Sequence, residues 1–295
     1  MNGTVCPLDS EAGLSIADAL EYAERCLRES HCVDIDNAAE LASESRALVR
    51  CAGGLTDAQI FADRQRSFPA QNRSRLVDIV ERRAAGEPLA YIEGARGFHA
   101  IELGVNAHVL VPRPETELIV DYVIEHARLA TFSALDLGTG SGAIALALAC
   151  ARPDAHITAV DVSAEALGVA AKNADALAAP VSFVLSDWFA ALPGSQFDFI
   201  CCNPPYVRST DPHLARLRFE PRLALDGGDD GLFEIRRVMA DAPGWLAPGG
   251  RLVIEHGYDQ APSVAAIAEG ARLRLIETLR DLAGHTRVSV FGAGD

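Results

Sequence analysis

At 295 residues the chain is long enough for one large domain, or a large one with a smaller partner, and its 49% apolar content argues against disorder. The formal net charge of −15, with Lys172 the one lysine among arginines, argues against naked nucleic acid as main partner, because such proteins carry a basic face that replaces phosphate counterions. No apolar run approaches the roughly 20 residues of a membrane helix, Met1 to Ser10 lack the basic start and apolar stretch of a secretory signal, and seven cysteines (Cys6, Cys26, Cys32, Cys51, Cys150, Cys201, Cys202) with no C-x-x-C pair suit the reduced thiols of a cytoplasmic protein better than a disulfide framework or a zinc site.

Residues 1–88 read as a small helical-bundle domain. Ile16, Leu20 and Leu27 recur on one face at helical spacing. Asn37 is an N-cap for a second helix carrying Ala38, Leu41 and Leu48, which Gly53-Gly54 stops. Two more helices are expected around Asp57 to Phe68 and Arg73 to Ala85, closed by Gly86 and Pro88. Residues 89–111 change character: Tyr91-Ile92, Phe98 to Leu103 and Val109 to Val111 alternate with glycines and read as a β-hairpin linker.

From Pro112 the chain alternates strand and helix. Strands are expected at Ala134-Leu135-Asp136, His156 to Val160, Val181 to Leu185, Phe197 to Cys202, Arg251 to Glu255 and two near 273–279 and 286–291. Helices are expected at Ala143 to Ala151, Ala164 to Leu177, Phe233 to Trp245 and Ala261 to Glu269. Regular βαβ alternation predicts an α/β domain over 112–295, a Rossmann-like, mainly parallel seven-stranded sheet with ligands at the carboxyl ends of its strands.

The first strand runs into Asp136-Leu137-Gly138-Thr139-Gly140-Ser141-Gly142. Glycines there let the backbone turn sharply and approach a ligand. The dinucleotide fingerprint is G-x-G-x-x-G, whereas the spacing here is G-x-G-x-G behind a carboxylate. Asp136 would repel a pyrophosphate but suits the ammonium end of S-adenosyl-L-methionine. Asp161, at the next strand end, can accept both ribose hydroxyls, and Asp187 with Trp188 can grip and cover an adenine. The expected cofactor contacts are Asp136, Asp161, Asp187 and Trp188 around the loop Gly138, Thr139, Gly140, Ser141 and Gly142.

Asn203-Pro204-Pro205-Tyr206 follows the apolar strand Phe197 to Cys202. An amide or exocyclic amine nitrogen is a poor nucleophile because its lone pair is delocalised. Acceptors that hold both N–H bonds can aim that lone pair at a sulfonium methyl. Asn203 offers a side-chain oxygen, Pro204 a backbone carbonyl, and Tyr206 a ring to pack on a flat amide. Asn203, Pro204 and Tyr206 are the catalytic candidates. The methyl donor is already activated, so orientation outweighs a general base.

N-P-P-Y behind D-x-G-x-G-x-G is shared by methyltransferases acting on planar nitrogens of DNA adenine, RNA and glutamine. Further segments make the match specific: Gly86-Glu87-Pro88-Leu89-Ala90-Tyr91-Ile92, Val111-Pro112-Arg113-Pro114-Glu115-Thr116-Glu117, Phe219-Glu220-Pro221 with Ala224-Leu225, Asp230-Gly231-Leu232, Glu255-His256-Gly257, and Asp281-Leu282-Ala283-Gly284 with Arg287. In these the chain resembles the release-factor glutamine N(5)-methyltransferase family over nearly its whole length. Gly97-Phe98-His99 departs from the family's acidic-aromatic sequence at that place.

The resemblance implies a class I methyltransferase domain using S-adenosyl-L-methionine, a helical N-terminal domain that helps recognise a peptide chain release factor, and a Gly-Gly-Gln glutamine as substrate. It also implies cofactor contacts at Gly138 to Gly142, Asp161 and Trp188, with Asn203 touching both cofactor and substrate and Pro204, Pro205 and Tyr206 completing the substrate site. The alternatives are an adenine N6 methyltransferase taking a flipped-out base, a ribosomal-protein glutamine methyltransferase, a non-catalytic cofactor-binding scaffold, and a dehydrogenase, which the glycine spacing disfavours. The eight histidines show no metal-ligand spacing, no metal is expected, and the acidic run Asp226 to Asp230 reads as a solvated loop.

Overall fold

The computed structural model describes residues 13–33, 35, 37–128 and 131–294; the readings made at Met1 to Ser10 and at Cys6 lie outside them. The chain divides into two compact units, Met1–Gly94 and Ala95–Asp295.

The first unit is helical. α1 (Ile16–Glu29) starts at a capping box in which Ser15 and Asp18 satisfy each other's backbone N–H groups. α2 (Ala38–Gly53) is capped by Asn37, whose Oδ1 accepts from Ala39 and Glu40, and it ends at Gly54 with φ 62°. α3 (Asp57–Ala62) is shorter than expected. Asp63 ends it by turning its Oδ1 onto the N–H groups of Gln65 and Arg66, and the chain then pairs back on the start of α1, Ile16 N to Arg66 O and Phe68 N to Leu14 O. α4 (Arg73–Ala84) and α5 (Leu89–Glu93) complete the unit around Leu20, Leu27, Leu48, Ile60, Phe68 and Leu76. Burying one such leucine is worth about 2 kcal/mol.

α5 corrects the linker expected over 89–111. Tyr91-Ile92 are helical, not extended: Ile92 is buried in the helical core, and Gly94 stops the turn with φ 76°. The hairpin proper is β1 (Ala95–Phe98) with β2 (Ile101–Gly104), antiparallel.

In the second unit α6 (Glu117–His126) precedes β3 (Ser133–Leu137), α7 (Ala143–Ala151), β4 (His156–Asp161), α8 (Ala164–Leu177), β5 (Val181–Leu185), β6 (Phe197–Cys202), α9 (Phe233–Trp245), β7 (Leu246–Glu255), α10 (Ala261–Gly270), β8 (Leu273–Arg280) and β9 (Thr286–Ala293). The sheet order is β5-β4-β3-β6-β7-β9-β8, with β9 alone running antiparallel to its neighbours. β7 begins earlier than its apolar run because Leu246 already pairs with Phe197 before a bulge.

Successive residues point to opposite faces. Ala134, Ala159, Phe199, Cys201 and Val253 pack under α6, α7 and α8, while Leu135, Leu137, Ile200, Cys202 and Ile254 pack under α9 and α10. The result is a three-layer, mainly parallel seven-stranded sheet. The chain winds outward from β3 to β5, then returns to the other side of β3 at β6. That reversal opens a crevice at the strands' carboxyl ends.

Candidate active site

A cavity of about 350 Å³ occupies that crevice. Gly138, Thr139, Gly140 and Ser141 line one side, Asp161 another, and Asp187 and Trp188 a third; Asn203 and Pro205 close it. Of the expected residues, Asp136, Gly142, Pro204 and Tyr206 do not line it.

The glycine loop is shaped by two close approaches. A Cβ on Gly138 (φ 71°) would stand 3.4 Å from the Trp188 ring, and one on Gly142 (φ 87°) would stand 2.7 Å from the Leu146 side chain. Gly142 is therefore required for the start of α7, where it is the N-cap. Asp136 is 1% exposed. Its Oδ2 accepts from the Thr139 hydroxyl at 2.6 Å and from Ala145 N at 3.2 Å, and its Oδ1 has no partner. Burial pushes its carboxyl up to about 7.

Asp161 closes β4, with Oδ2 accepting from Gly140 N and Oδ1 from Ser163 N, both at 2.9 Å. Each oxygen keeps a further lone pair. Asp187 lines the cavity with its Oδ2 accepting from Arg237 at 2.7 Å. Trp188 adopts φ 50°, and its indole Nε1 donates to Glu234.

Asn203 follows β6, and its Nδ2 donates to Thr116 Oγ1 at 3.0 Å. The Tyr206 hydroxyl donates to Glu255 Oε1 at 3.0 Å, and burial pushes its phenol well above the ordinary value. Glu255 also accepts from Thr116 at 2.6 Å, and burial raises its carboxyl to about 7. These partners come from the Pro114-Glu115-Thr116 turn and the end of β7.

The loop after Tyr206 is braced by the acidic run expected to be merely solvated. Asp226 accepts from Ser209, Arg222 and Gly228 N, while Gly227 N donates to Val207 O. Gly231 has its φ at 73°, and a Cβ there would meet Tyr206 O at 2.4 Å. Glu220 is likewise buried, tying Arg113 (2.5 Å) and Val111 N (3.1 Å) into the wall. Asn173 of α8 fastens Gly104 of the hairpin to Ser141 O.

Glu220, Glu234 and Glu255 are residues that sequence reasoning left without a role. The signal for Glu255 is a carboxylate at the end of an otherwise apolar strand, where burial demands partners. His256 is a satisfied core histidine: Nδ1 donates to Gly257 O, so Nε2 accepts from Ser289 Oγ, and burial lowers its pKa. Among the described residues no three His, Cys, Asp or Glu side chains could hold a metal ion, and no helix is long and apolar enough to cross a membrane.

The residues present fit S-adenosyl-L-methionine. An unpartnered buried carboxylate oxygen matches a cation, lone pairs on Asp161 match a diol, and the indole of Trp188 gives a flat wall to a cavity of suitable volume.

Two family models match the chain: "Methyltransferase small domain" over residues 114–217 and "PrmC N-terminal domain" over residues 18–94. The chain is 44% identical over 258 residues to a protein of Burkholderia pseudomallei named release factor glutamine methyltransferase, covering 84% of this chain and 90% of that one. A protein of the same name from Xylella fastidiosa is 47% identical over 216 residues, 72% of this chain and 78% of its own. In fold, a methyltransferase from Pyrococcus furiosus superposes with a TM-score of 0.51 at 18% identity, covering 75% of this chain and 99% of that one.

Proposed function

The chain belongs to the release factor glutamine methyltransferase family, and from that premise we propose that it methylates the side-chain amide nitrogen of the glutamine in the Gly-Gly-Gln motif of peptide chain release factors. The observation that carries the reading is the placement of Asn203, at the end of β6, in one cavity with the glycine loop and Asp161.

S-adenosyl-L-methionine, when bound, supplies a methyl group already activated by its sulfonium. The protein's task is to hold and to aim. Gly138 to Ser141, Asp161 and Trp188 would hold the cofactor. Asp136 offers the unpartnered oxygen behind the loop to the ammonium end. Asn203, with its NH₂ already engaged by Thr116, offers Oδ1 to one N–H of the glutamine amide. The Pro204 carbonyl is the acceptor for the other, and Pro205 lines the wall. Two acceptors on the two N–H bonds turn the nitrogen's lone pair toward the methyl group. Orientation of this kind supplies much of a barrier reduction where no difficult proton transfer precedes bond formation.

The helical unit is the recognition domain for the folded release factor, and the protein acts in the cytoplasm. A nucleic-acid substrate is disfavoured by the charge of −15. Incubation of the full chain with purified release factor and labelled cofactor, followed by peptide mapping, tests the reading. One methyl group on the Gly-Gly-Gln glutamine is expected. Label entering DNA, RNA or a ribosomal protein but not release factor would replace it.

A further inference from the structure

Glu255 closes the apolar strand β7 and is 1% exposed. Its two oxygens accept from two different parts of the site, Oε2 from Thr116 Oγ1 at 2.6 Å and Oε1 from the Tyr206 hydroxyl at 3.0 Å. Thr116, 4% exposed, stands 3.0 Å from Asn203 Nδ2. A carboxylate can only accept, so it takes the one proton that the threonine hydroxyl has to give. The threonine oxygen can then only accept as well. The Asn203 amide is obliged to turn its NH₂ to Thr116, and Oδ1 becomes its free end on a residue that lines the cavity. The Tyr206 bond anchors the other end of the Asn203–Tyr206 loop on the same carboxylate.

We infer that Glu255 is a positioning residue for methyl transfer: acting through Thr116, it fixes the direction of the Asn203 amide so that Oδ1, not Nδ2, meets an N–H of the substrate amide. The inference rests on the function proposed above.

A Glu255 protonated on Oε2, the oxygen that faces Thr116, reverses the chain. Its O–H donates to Thr116, Thr116 donates to Asn203 Oδ1, and the amide turns its NH₂ toward the cavity, where a donor faces a donor. Burial holds the Glu255 carboxyl at about 7, the bonds from Thr116 and Tyr206 pull against that, Glu115 pushes it up and Arg287 draws it down. Cys202, packed nearby, has its thiol pushed well up by burial and stays neutral. The reversal therefore falls within reach of ordinary assay pH.

Thr116→Val keeps the side-chain volume and removes the hydroxyl, whereas Thr116→Ser keeps the hydroxyl and removes a methyl. With full-length enzyme and intact release factor, the valine variant should lose on the order of 10²-fold in kcat, with the Kd for S-adenosylhomocysteine unchanged, and the serine variant should retain most of the rate. A packing role predicts the opposite order, and a valine variant at the wild-type rate overturns the inference. The second measurement is kcat against pH at saturating cofactor and substrate. In the wild type it should rise to a plateau above about pH 7, following the Glu255 titration, and in Glu255→Gln it should be lower and flat. A rise that persists unchanged in Glu255→Gln also overturns it, and this test stands if the valine variant fails to fold. Absence of glutamine methylation by the wild type sinks the function itself; variants that match an active wild type sink only the relay.

Discussion

Trp188 and Glu234 meet at the cavity wall, the indole Nε1 donating to the carboxylate at 2.8 Å. Glu234 Oε2 also accepts from Arg237, whose other nitrogen holds Asp187. This ring of contacts keeps a bulky residue at φ 50°, a costly backbone region. Glu234→Ala should therefore weaken S-adenosylhomocysteine binding by about 1 kcal/mol, and Glu234→Gln, which keeps an acceptor, by less. Calorimetry decides it, and equal affinity in all three proteins would mean the indole holds its place without the bond.

Asp161→Ala should weaken the same ligand by about 1–3 kcal/mol, because two hydroxyl hydrogen bonds are lost. The loss includes a loop term, since Asp161 also holds Gly140 N and Ser163 N. Asp161→Asn keeps one acceptor and should fall between. An unchanged Kd for the alanine variant would put the ribose elsewhere.

Asn203→Ala should abolish turnover while leaving cofactor affinity largely intact, because the glycine loop and Asp161 are untouched. Tyr206→Phe should be milder in rate but should cost about 1–2 kcal/mol of stability, since it strips one donor from a buried carboxylate. Steady-state kinetics and chemical denaturation on both variants separate the two effects. Normal turnover by Asn203→Ala would remove it from the chemistry.

The βαβ order, the glycine loop and the Asn203–Tyr206 loop were legible because each is a local pattern: strand periodicity, a run of glycines, a pair of prolines. α5 was not, since five residues give no helical period and Tyr91-Ile92 are β-favouring types. The pairing of Thr116 with Glu255 spans 139 residues and that of Asp187 with Arg237 spans 50. Nothing local in one sequence states such pairs. Asp226 is a mixed case: Arg222, four residues away, is a local partner, whereas Ser209, 17 residues away, is brought to it by the fold.

Asp136 and Glu255 give stability a pH dependence of definite sign. Burial raises them from 3.8 and 4.5, respectively, to about 7 each. A carboxyl that binds its proton more tightly folded than unfolded contributes fully below its unfolded value, and that contribution is lost as pH rises through the folded value. Unfolding free energy should thus decline between about pH 5 and 8, and Asp136→Asn should flatten part of the decline. Carboxylates held low, such as Asp230 at about 2, act with the opposite sign but below that window. S-adenosyl-L-methionine should bind more tightly as pH rises through about 7, and Asp136→Asn should remove that trend. Denaturation and calorimetry at pH 5, 6, 7 and 8 read both; identical slopes in variant and wild type would return Asp136 to the ordinary carboxylate range.

The recognition role proposed for the helical unit can be tested by removing it. The cut belongs at Ala95, because Ile92 is part of the helical core and Glu93 pairs with Arg50 at 2.5 Å. A cut at residue 88 would leave α5 with its apolar face uncovered. The unit from Ala95 onward keeps both cores of the sheet and the whole cavity lining. It should therefore fold and bind S-adenosylhomocysteine, which circular dichroism and calorimetry check first. It should methylate intact release factor poorly, because contacts remote from the reacting amide help place the glutamine. A short Gly-Gly-Gln peptide cannot use those contacts, so it should be a weak substrate for both forms, with much less difference between them. The competing role, covering apolar surface, predicts aggregation of the truncated chain. A soluble, folded truncation that methylates intact release factor at the full-length rate would take recognition away from residues 1–94.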